Sequence, residues 1–194
     1  MTKRILIGCA LIAGVLAMTA SAATRVPPVE HFTARAVEST SPARFVFHPV
    51  DIVISQWSTF TDHGLLMKTL LEKGPVSYLN LLCGFAPVGT IRMGGRDFPI
   101  RYAWSIDDRG GRRRIYLATD EPLSLVNPAF GPFLGDERLT FLELRVNRNG
   151  EGEGKFAEAV TLSVDQSRSV IELRDYEKTG SHLVMVRSEA TLEQ

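Results

Sequence analysis

The chain has 194 residues, of which 44% are hydrophobic, and it carries 22 basic and 22 acidic side chains. This neutral balance argues against a nucleic-acid-binding or membrane-surface protein, because both roles require clustered positive charge. The length suits one domain that can bury a core without disulfides or a structural metal.

The first residues have the layout of a secretory signal peptide. Lys3 and Arg4 precede an uncharged run over residues 5–18, and Ala22 ends a segment of small residues suited to a signal peptidase. The run has 14 residues, short of the roughly 20 that cross a bilayer. We therefore predict a signal peptide over 1–22, cleavage near Ala22, a secreted or periplasmic protein, and no stable membrane anchor after cleavage.

The rest of the chain is predicted to form one domain with a single cysteine. Residues 23–29 contain two prolines and no periodicity, which predicts a flexible lead-in before a β-rich domain over 30–194. Cys9 leaves with the signal peptide, so Cys83 cannot form an intramolecular disulfide. The leucines around Cys83 favour a buried apolar residue over a reactive or bridging thiol.

Strand-like alternation begins at residue 30, and a helical hairpin interrupts it. Segments 30–38 and 45–57 read as strands because they alternate or are rich in β-branched and aromatic residues. Helical spacing over 62–73 places His63 on the apolar face, where a satisfied core or first-turn histidine is the usual role. A proline-initiated helix over 75–83 follows, so the predicted hairpin covers 62–84.

Strands dominate the remainder of the chain. The clearest two-residue period runs over 98–106, which predicts one strand with Phe98, Tyr102 and Trp104 on a common face. Asp108–Gly111 and Asn149-Gly150 are hairpin signals. The other predicted strands are 88–93, 113–119, 139–147, 155–164, 170–176 and 182–187, the last two ending a meander.

These elements predict an α+β fold that is mainly β. Eight or nine strands, separated by turns at about 8–12 residue spacing, favour a strongly curved antiparallel sheet or barrel. The inserted helical hairpin is expected to plug one end of the barrel or to pack on one face. The lack of βαβ alternation excludes a doubly wound parallel sheet.

The aromatic row of the strand over 98–106 is the first candidate ligand site. Tyr102 and Trp104 are expected to line a small apolar cavity inside the sheet, although such a row is more often plain core. The long apolar connection over 121–137, which contains Phe130, is expected to cover that cavity or to cap the barrel end as core.

Glu158 is the second candidate. It shares a predicted strand face with apolar residues, and a carboxylate on an interior face must be paired, hydrogen-bonded or protonated. The alternative is a bulge that turns Glu158 outward. Glu158 near His31, His48 or His182 would also be the pair to seek in a hydrolase.

No metal or cofactor motif is present, so we expect neither. Four arginines at 109 and 112–114 could hold an anionic partner. Because they adjoin Asp107 and Asp108 at a hairpin tip, we interpret them instead as a solvated turn.

Several segments resemble a family of uncharacterised secreted bacterial proteins. They are the runs over 30–36, 72–75, 117–120 and 142–155, in this order behind a signal peptide. The resemblance covers nearly all of the mature chain and implies bacterial export and a single domain. It carries no activity, substrate or catalytic residue.

Together these features predict a non-enzymatic binding module for a small apolar ligand. Its predicted binding site contains Tyr102, Trp104, Phe130 and Glu158. One alternative is an envelope protein that docks on a partner through a sheet edge or an apolar patch. A hydrolase of unfamiliar type is the other alternative.

Overall fold

The computed structural model describes residues 30–41, 44–108, 110–123, 139–157, 161–165, 170–174 and 181–189. The predicted signal peptide and lead-in, Phe130 and Glu158 lie outside these ranges.

Eleven strands and two helices make up the described chain. Nine strands form one antiparallel sheet in the order β4-β3-β2-β1-β11-β8-β7-β6-β5, and β9 and β10 form a separate two-stranded sheet. The elements are β1 (Glu30–Ser41), β2 (Arg44–Ile54), α1 (Phe60–Lys73), α2 (Pro75–Cys83), β3 (Gly89–Met93), β4 (Arg96–Ile100), β5 (Tyr102–Asp108), β6 (Arg112–Thr119), β7 (Thr140–Val146), β8 (Glu151–Ala157), β9 (Thr161–Asp165), β10 (Val170–Arg174) and β11 (Ser181–Glu189).

The nine-stranded sheet is nearly closed into a barrel, and the chain itself joins its two end strands. β4 and β5 are consecutive, separated only by Arg101. The carbonyl of Ile100 accepts a hydrogen bond from Val88 on the β3 side, whereas the N–H of Arg101 donates to Ala118 on β6. The segment at Ile100 and Arg101 therefore hydrogen-bonds to both end regions of the sheet and joins them.

The bend at Arg101 is held by its side chain. Its Nε donates to Asp120 at 3.0 Å, and one terminal nitrogen donates to the carbonyl of Phe85 at 3.0 Å. The two charged side chains are only 22% and 16% exposed. This partly buried ion pair therefore ties the end of the helical hairpin to the end of β6.

Apolar side chains from every strand of the large sheet fill the barrel interior. The fully buried set includes three phenylalanines, and Leu123 enters it from the chain segment after β6. The interior residues are Phe32, Ala34, Ala36, Val50, Ile52, Ile54, Ile91, Met93, Phe98, Ile100, Ala103, Ile115, Leu117, Leu123, Leu142, Leu144, Val146, Phe156, Leu183 and Val186.

The helical hairpin packs on the outer face of the wall. Leu66 and Leu70 of α1 and Tyr78 and Leu82 of α2 form a second core with outward-facing residues of β5 and β6. The residues are spaced by four, so each pair lies on one helix face. Of the two predicted positions for the hairpin, packing on a face is therefore correct.

The mainly β architecture with an inserted helical hairpin is confirmed, but four details are wrong. The predicted strand over 155–164 is divided between β8 in the large sheet and β9 in the small sheet. The side chains of segment 98–106 do not share one face, because the alternation of inward and outward side chains shifts by one residue at Arg101. Phe98 faces the interior, whereas Tyr102 and Trp104 face the hairpin. Cys83 is exposed rather than buried. The final strands do not continue a meander, because β11 lies between β1 and β8.

Candidate ligand-binding surface

The start of α1 fixes an aromatic side chain on the surface. Thr59 is the N-cap, and its Oγ1 accepts from the N–H of Asp62, while Asp62 Oδ2 accepts from the N–H and the hydroxyl of Thr59. This capping box begins the helix two residues before the predicted start. Phe60 therefore becomes the first helical residue, and its side chain is 84% exposed.

Ser58 attaches this helix start to the edge of β5. Its N–H donates to the carbonyl of Ala103, and its hydroxyl accepts from the N–H of Ala103. Ser58 is itself buried, so both bonds form away from solvent. The next side chain of β5, Trp104, is thereby held beside the first turn of α1.

Four aromatic rings then form an array from buried to exposed, which we call the aromatic array: Tyr102, His63, Trp104 and Phe60. His63 stacks on Trp104 with centroids 4.5 Å apart, and Phe60 meets Trp104 edge-on at 4.9 Å. The hydroxyl of Tyr102 shares a 2.6 Å hydrogen bond with Nδ1 of His63. Each ring thus contacts a neighbouring ring, so the array runs without a break from the buried Tyr102 to the exposed Phe60.

The buried end of the aromatic array is strongly desolvated. Burial raises the pKa of Tyr102 well above its usual value, and the nearby Tyr78 raises it further. Burial also raises the pKa of Tyr78 to about 12. Both phenols therefore stay protonated at neutral pH, and the hydroxyl of Tyr102 is a hydrogen-bonding partner of His63.

The outer face of β5 and β6 changes from apolar to charged with distance from the helices. Trp104 lies opposite Tyr116, and the next outward pair along the strands is Ile106 opposite Arg114. Ile106 is 48% exposed. Phe60, Trp104 and Ile106 therefore form an apolar strip that ends at the guanidinium of Arg114.

A charged cleft of about 380 Å³ lies at the end of these strands, between the β5–β6 and β7–β8 hairpins. Residues of both faces line it, because Arg114 and Arg145 face outward, whereas Arg113 and Val146 have the inward phase. Four of its lining residues are arginines and three are acidic. These charged residues are Asp108, Arg112, Arg113, Arg114, Arg145, Glu151 and Glu153. We call it the arginine cleft.

The arginines of the cleft have carboxylate neighbours. Asp108 lies 3.2 Å from Arg112 and 3.7 Å from Arg114. Arg145 forms two hydrogen bonds to the buried Glu143, at 2.8 and 3.1 Å. The predicted solvated turn is therefore an incomplete description of residues 112–114, because these residues also line a cleft together with Arg145 of β7. Arg109 lies outside the described residues.

Arg113 has a different role from its neighbours. It shares the inward phase of Ile115, and its terminal nitrogens bond to both carboxylate oxygens of Glu30 at 2.9 and 3.2 Å. Its guanidinium also lies over the ring of Trp57, 5.7 Å from the centroid. Arg113 therefore joins β6 to β1 at one end of the barrel.

A second polar cluster surrounds His31 on the opposite wall. Its Nε2 lies 3.6 Å from Asp51, and its Nδ1 lies 3.4 Å from Glu189. The two carboxylates face different ring nitrogens, so the three groups do not converge on one point. Within the described ranges, no three His, Cys, Asp or Glu side chains form a group that could hold a metal ion.

Two of the four residues that the sequence predicted to bind a ligand lie within the described ranges. Tyr102 and Trp104 belong to the aromatic array on the outer face, not to the barrel interior. Phe130 and Glu158 are outside the described ranges. The sequence-based interpretation missed Phe60, Ile106 and Arg145. The pattern Thr59-x-x-Asp62 is a capping signal that would have placed Phe60 at the helix start.

Comparisons with protein-family models, curated proteins and solved structures found no match to this chain. The resemblance to secreted bacterial proteins stays a prediction. Among the residues described, neither helix has the length and apolar character needed to span a membrane.

Proposed function

We propose that the protein is a non-enzymatic binding module that holds a small apolar ligand on the outer face of β5, against the aromatic array. The observation that carries this proposal is the position of Phe60. A phenylalanine left in water forgoes roughly 1.5–3 kcal/mol of burial free energy. A capping box nevertheless holds this ring on the surface, edge-on to Trp104.

The geometry favours the outer face over the barrel interior for such a ligand. Large side chains occupy the interior, among them the fully buried Phe32, Phe98 and Phe156. On the outer face, Phe60 contacts Trp104 and Ile106 follows it on the same face of β5, and both expose apolar surface. Rigid aromatic side chains of this kind supply much of the binding energy in known recognition sites.

The ordering of the aromatic array also supports binding. Three of its rings are held in place by the hydrogen bond between Tyr102 and His63 and by the stacking of His63 on Trp104. A preorganised surface avoids the entropic cost of ordering side chains on association. The proposal retains the predicted export of the chain to the periplasm or beyond.

The test uses the intrinsic fluorescence of Trp104. The chain has two tryptophans, so the variant Trp57→Phe leaves Trp104 as the reporter. We expect a saturable change in its emission on titration with decyl maltoside below the micellar concentration. Phe60→Ala in the same background should weaken binding by about tenfold, as loss of a central aromatic contact does.

Phe45→Ala is the matched control, because Phe45 is also an exposed phenylalanine, at 57% exposure on β2. It should bind the alkyl probe like the parent variant. Absence of a saturable response, or equal losses for Phe60→Ala and Phe45→Ala, would contradict the proposal.

A further inference from the structure

We propose that the ligand is an amphiphile with an oxyanion head group, and that Arg114 and Arg145 of the arginine cleft bind the head while its apolar part lies on Phe60, Trp104 and Ile106. This inference rests on the proposed function and names the ligand class. The shared chemistry of the head is a carboxylate or a phosphate.

The two halves of the proposed site are continuous. Ile106 lies two residues beyond Trp104 on the same face of β5, about 7 Å along the strand. Arg114 is directly opposite Ile106 on β6. A ligand whose alkyl chain covers Trp104 and Ile106 therefore brings a terminal head group to the edge of the cleft.

The cleft places two like charges directly opposite each other. Arg114 on β6 pairs with Arg145 on β7 in the sheet register. Each guanidinium also faces a carboxylate, Asp108 beside Arg114 and Glu143 beside Arg145, and an oxyanion between the two arginines would add charge-assisted hydrogen bonds to these pairs. The guanidinium side chains are 47% and 54% exposed, so an arriving ligand can reach them.

The carboxylates of this region flank the arginine pair. Asp108 lies on the β5 side, near Arg114, and Glu153 lies opposite Arg145 on the β8 side. Glu143 lies one pair closer to the helices and bonds to Arg145. The two guanidinium groups lie between these carboxylates, so one compact oxyanion can reach both arginines, whereas an extended polyanion would meet the surrounding negative charge.

The cleft has room for the proposed head group. Its volume of about 380 Å³ exceeds that of a carboxylate or a phosphate group. Bidentate arginine contacts are the usual means by which proteins recognise carboxylate and phosphate groups.

The expected head-group effect is moderate because the arginines are half exposed. An exposed charge pair contributes a few tenths to about 1 kcal/mol, which corresponds to roughly fivefold at most per arginine. We therefore expect decanoate and decyl phosphate to bind about five- to tenfold more tightly than decyl maltoside at low salt. High salt should reduce this preference, because it screens exposed charges.

The experiment titrates the Trp57→Phe protein with four probes: decanoate, decyl phosphate, decyl maltoside and inorganic phosphate. The double variant Arg114→Gln/Arg145→Gln should lose the preference for the charged probes and keep its affinity for decyl maltoside. Arg114→Lys/Arg145→Lys retains both charges and should recover part of the preference. Arg92→Gln removes an exposed arginine on β3 and should change nothing.

The outcomes separate the two proposals. Equal binding of charged and neutral alkyl probes, or an unchanged preference in the double variant, overturns the oxyanion inference and leaves the apolar site standing. Inorganic phosphate binding as tightly as decyl phosphate overturns the amphiphile class. Failure of all alkyl probes overturns both proposals. Tighter binding by decyl phosphate than by decanoate would identify phosphate as the preferred head, and the reverse would identify carboxylate.

Discussion

The two faces of the barrel wall differ in chemistry. The inward face carries apolar side chains on every strand of the large sheet, and the ion pair of Arg113 with Glu30 lies at one end of it. On the outer face of β5 to β8 the side chains change from apolar under the helices, through Trp104 and Ile106, to charged in the arginine cleft. The largely apolar inward face stabilises the fold by burial, whereas the graded outer face is the surface on which we propose that the ligand binds.

The largest expected difference in stability is between alanine variants of two phenylalanines, one on each face of the barrel wall. Phe156→Ala should destabilise the protein by about 3–5 kcal/mol, because it leaves a cavity in the barrel interior. Phe60→Ala should change stability by less than about 0.5 kcal/mol, because its ring is on the surface. Urea denaturation of both variants measures the difference. Similar losses would show that the outer aromatic array is a structural core.

The second effect concerns Arg101, where the alternation of inward and outward side chains shifts by one residue. Arg101→Gln should cost about 2 kcal/mol, less than a fully buried ion pair, since Arg101 and Asp120 retain some contact with water. Arg92→Gln breaks the exposed pair with Asp97 and should cost at most about 0.5 kcal/mol. Thermal denaturation compares the two, and equal costs would mean that Arg101 does not hold the closure of the barrel.

The smallest effect is the pH dependence of the helix start that positions Phe60. Hydrogen bonds from the hydroxyl and the N–H of Thr59 lower the pKa of Asp62 below its usual value. The resulting stabilisation is complete above the pKa of the unfolded carboxyl and is lost as the pH falls through the lower pKa of the folded state.

The stability difference between the wild type and Asp62→Asn should therefore shrink on acidification from about pH 5 to about pH 3. Melting curves at several pH values measure it. A difference that grows on acidification would contradict the assigned capping box.

Local patterns predicted the elements better than their faces. Pro75 and Gly84 bracket α2, so its bounds were correct from the sequence. The prediction that Cys83 is buried was wrong. Cys83 follows the buried Leu82 by one residue, and one step along a helix turns the side chain by about 100°.

The error at segment 98–106 has a different cause. Its alternation continues across Arg101, but the two halves pair with opposite ends of the sheet, and no local residue pattern encodes that pairing. The opposition of Arg114 and Arg145 likewise depends on the register between β6 and β7, which are separated by the long connection after β6. Tyr102 and Trp104 could thus be selected from the sequence, whereas their location and charged neighbours could not.

The most direct test of the central claim is an NMR titration of isoleucine methyl-labelled protein with decanoate. Ile106 is exposed on the graded face, whereas Ile52, Ile91 and Ile115 are buried in the interior. Binding on the outer face predicts saturable shifts at the methyl group of Ile106, with little change at the interior methyl groups. Saturable shifts at the interior methyl groups, with Ile106 unchanged, would contradict the account and place the ligand inside the barrel.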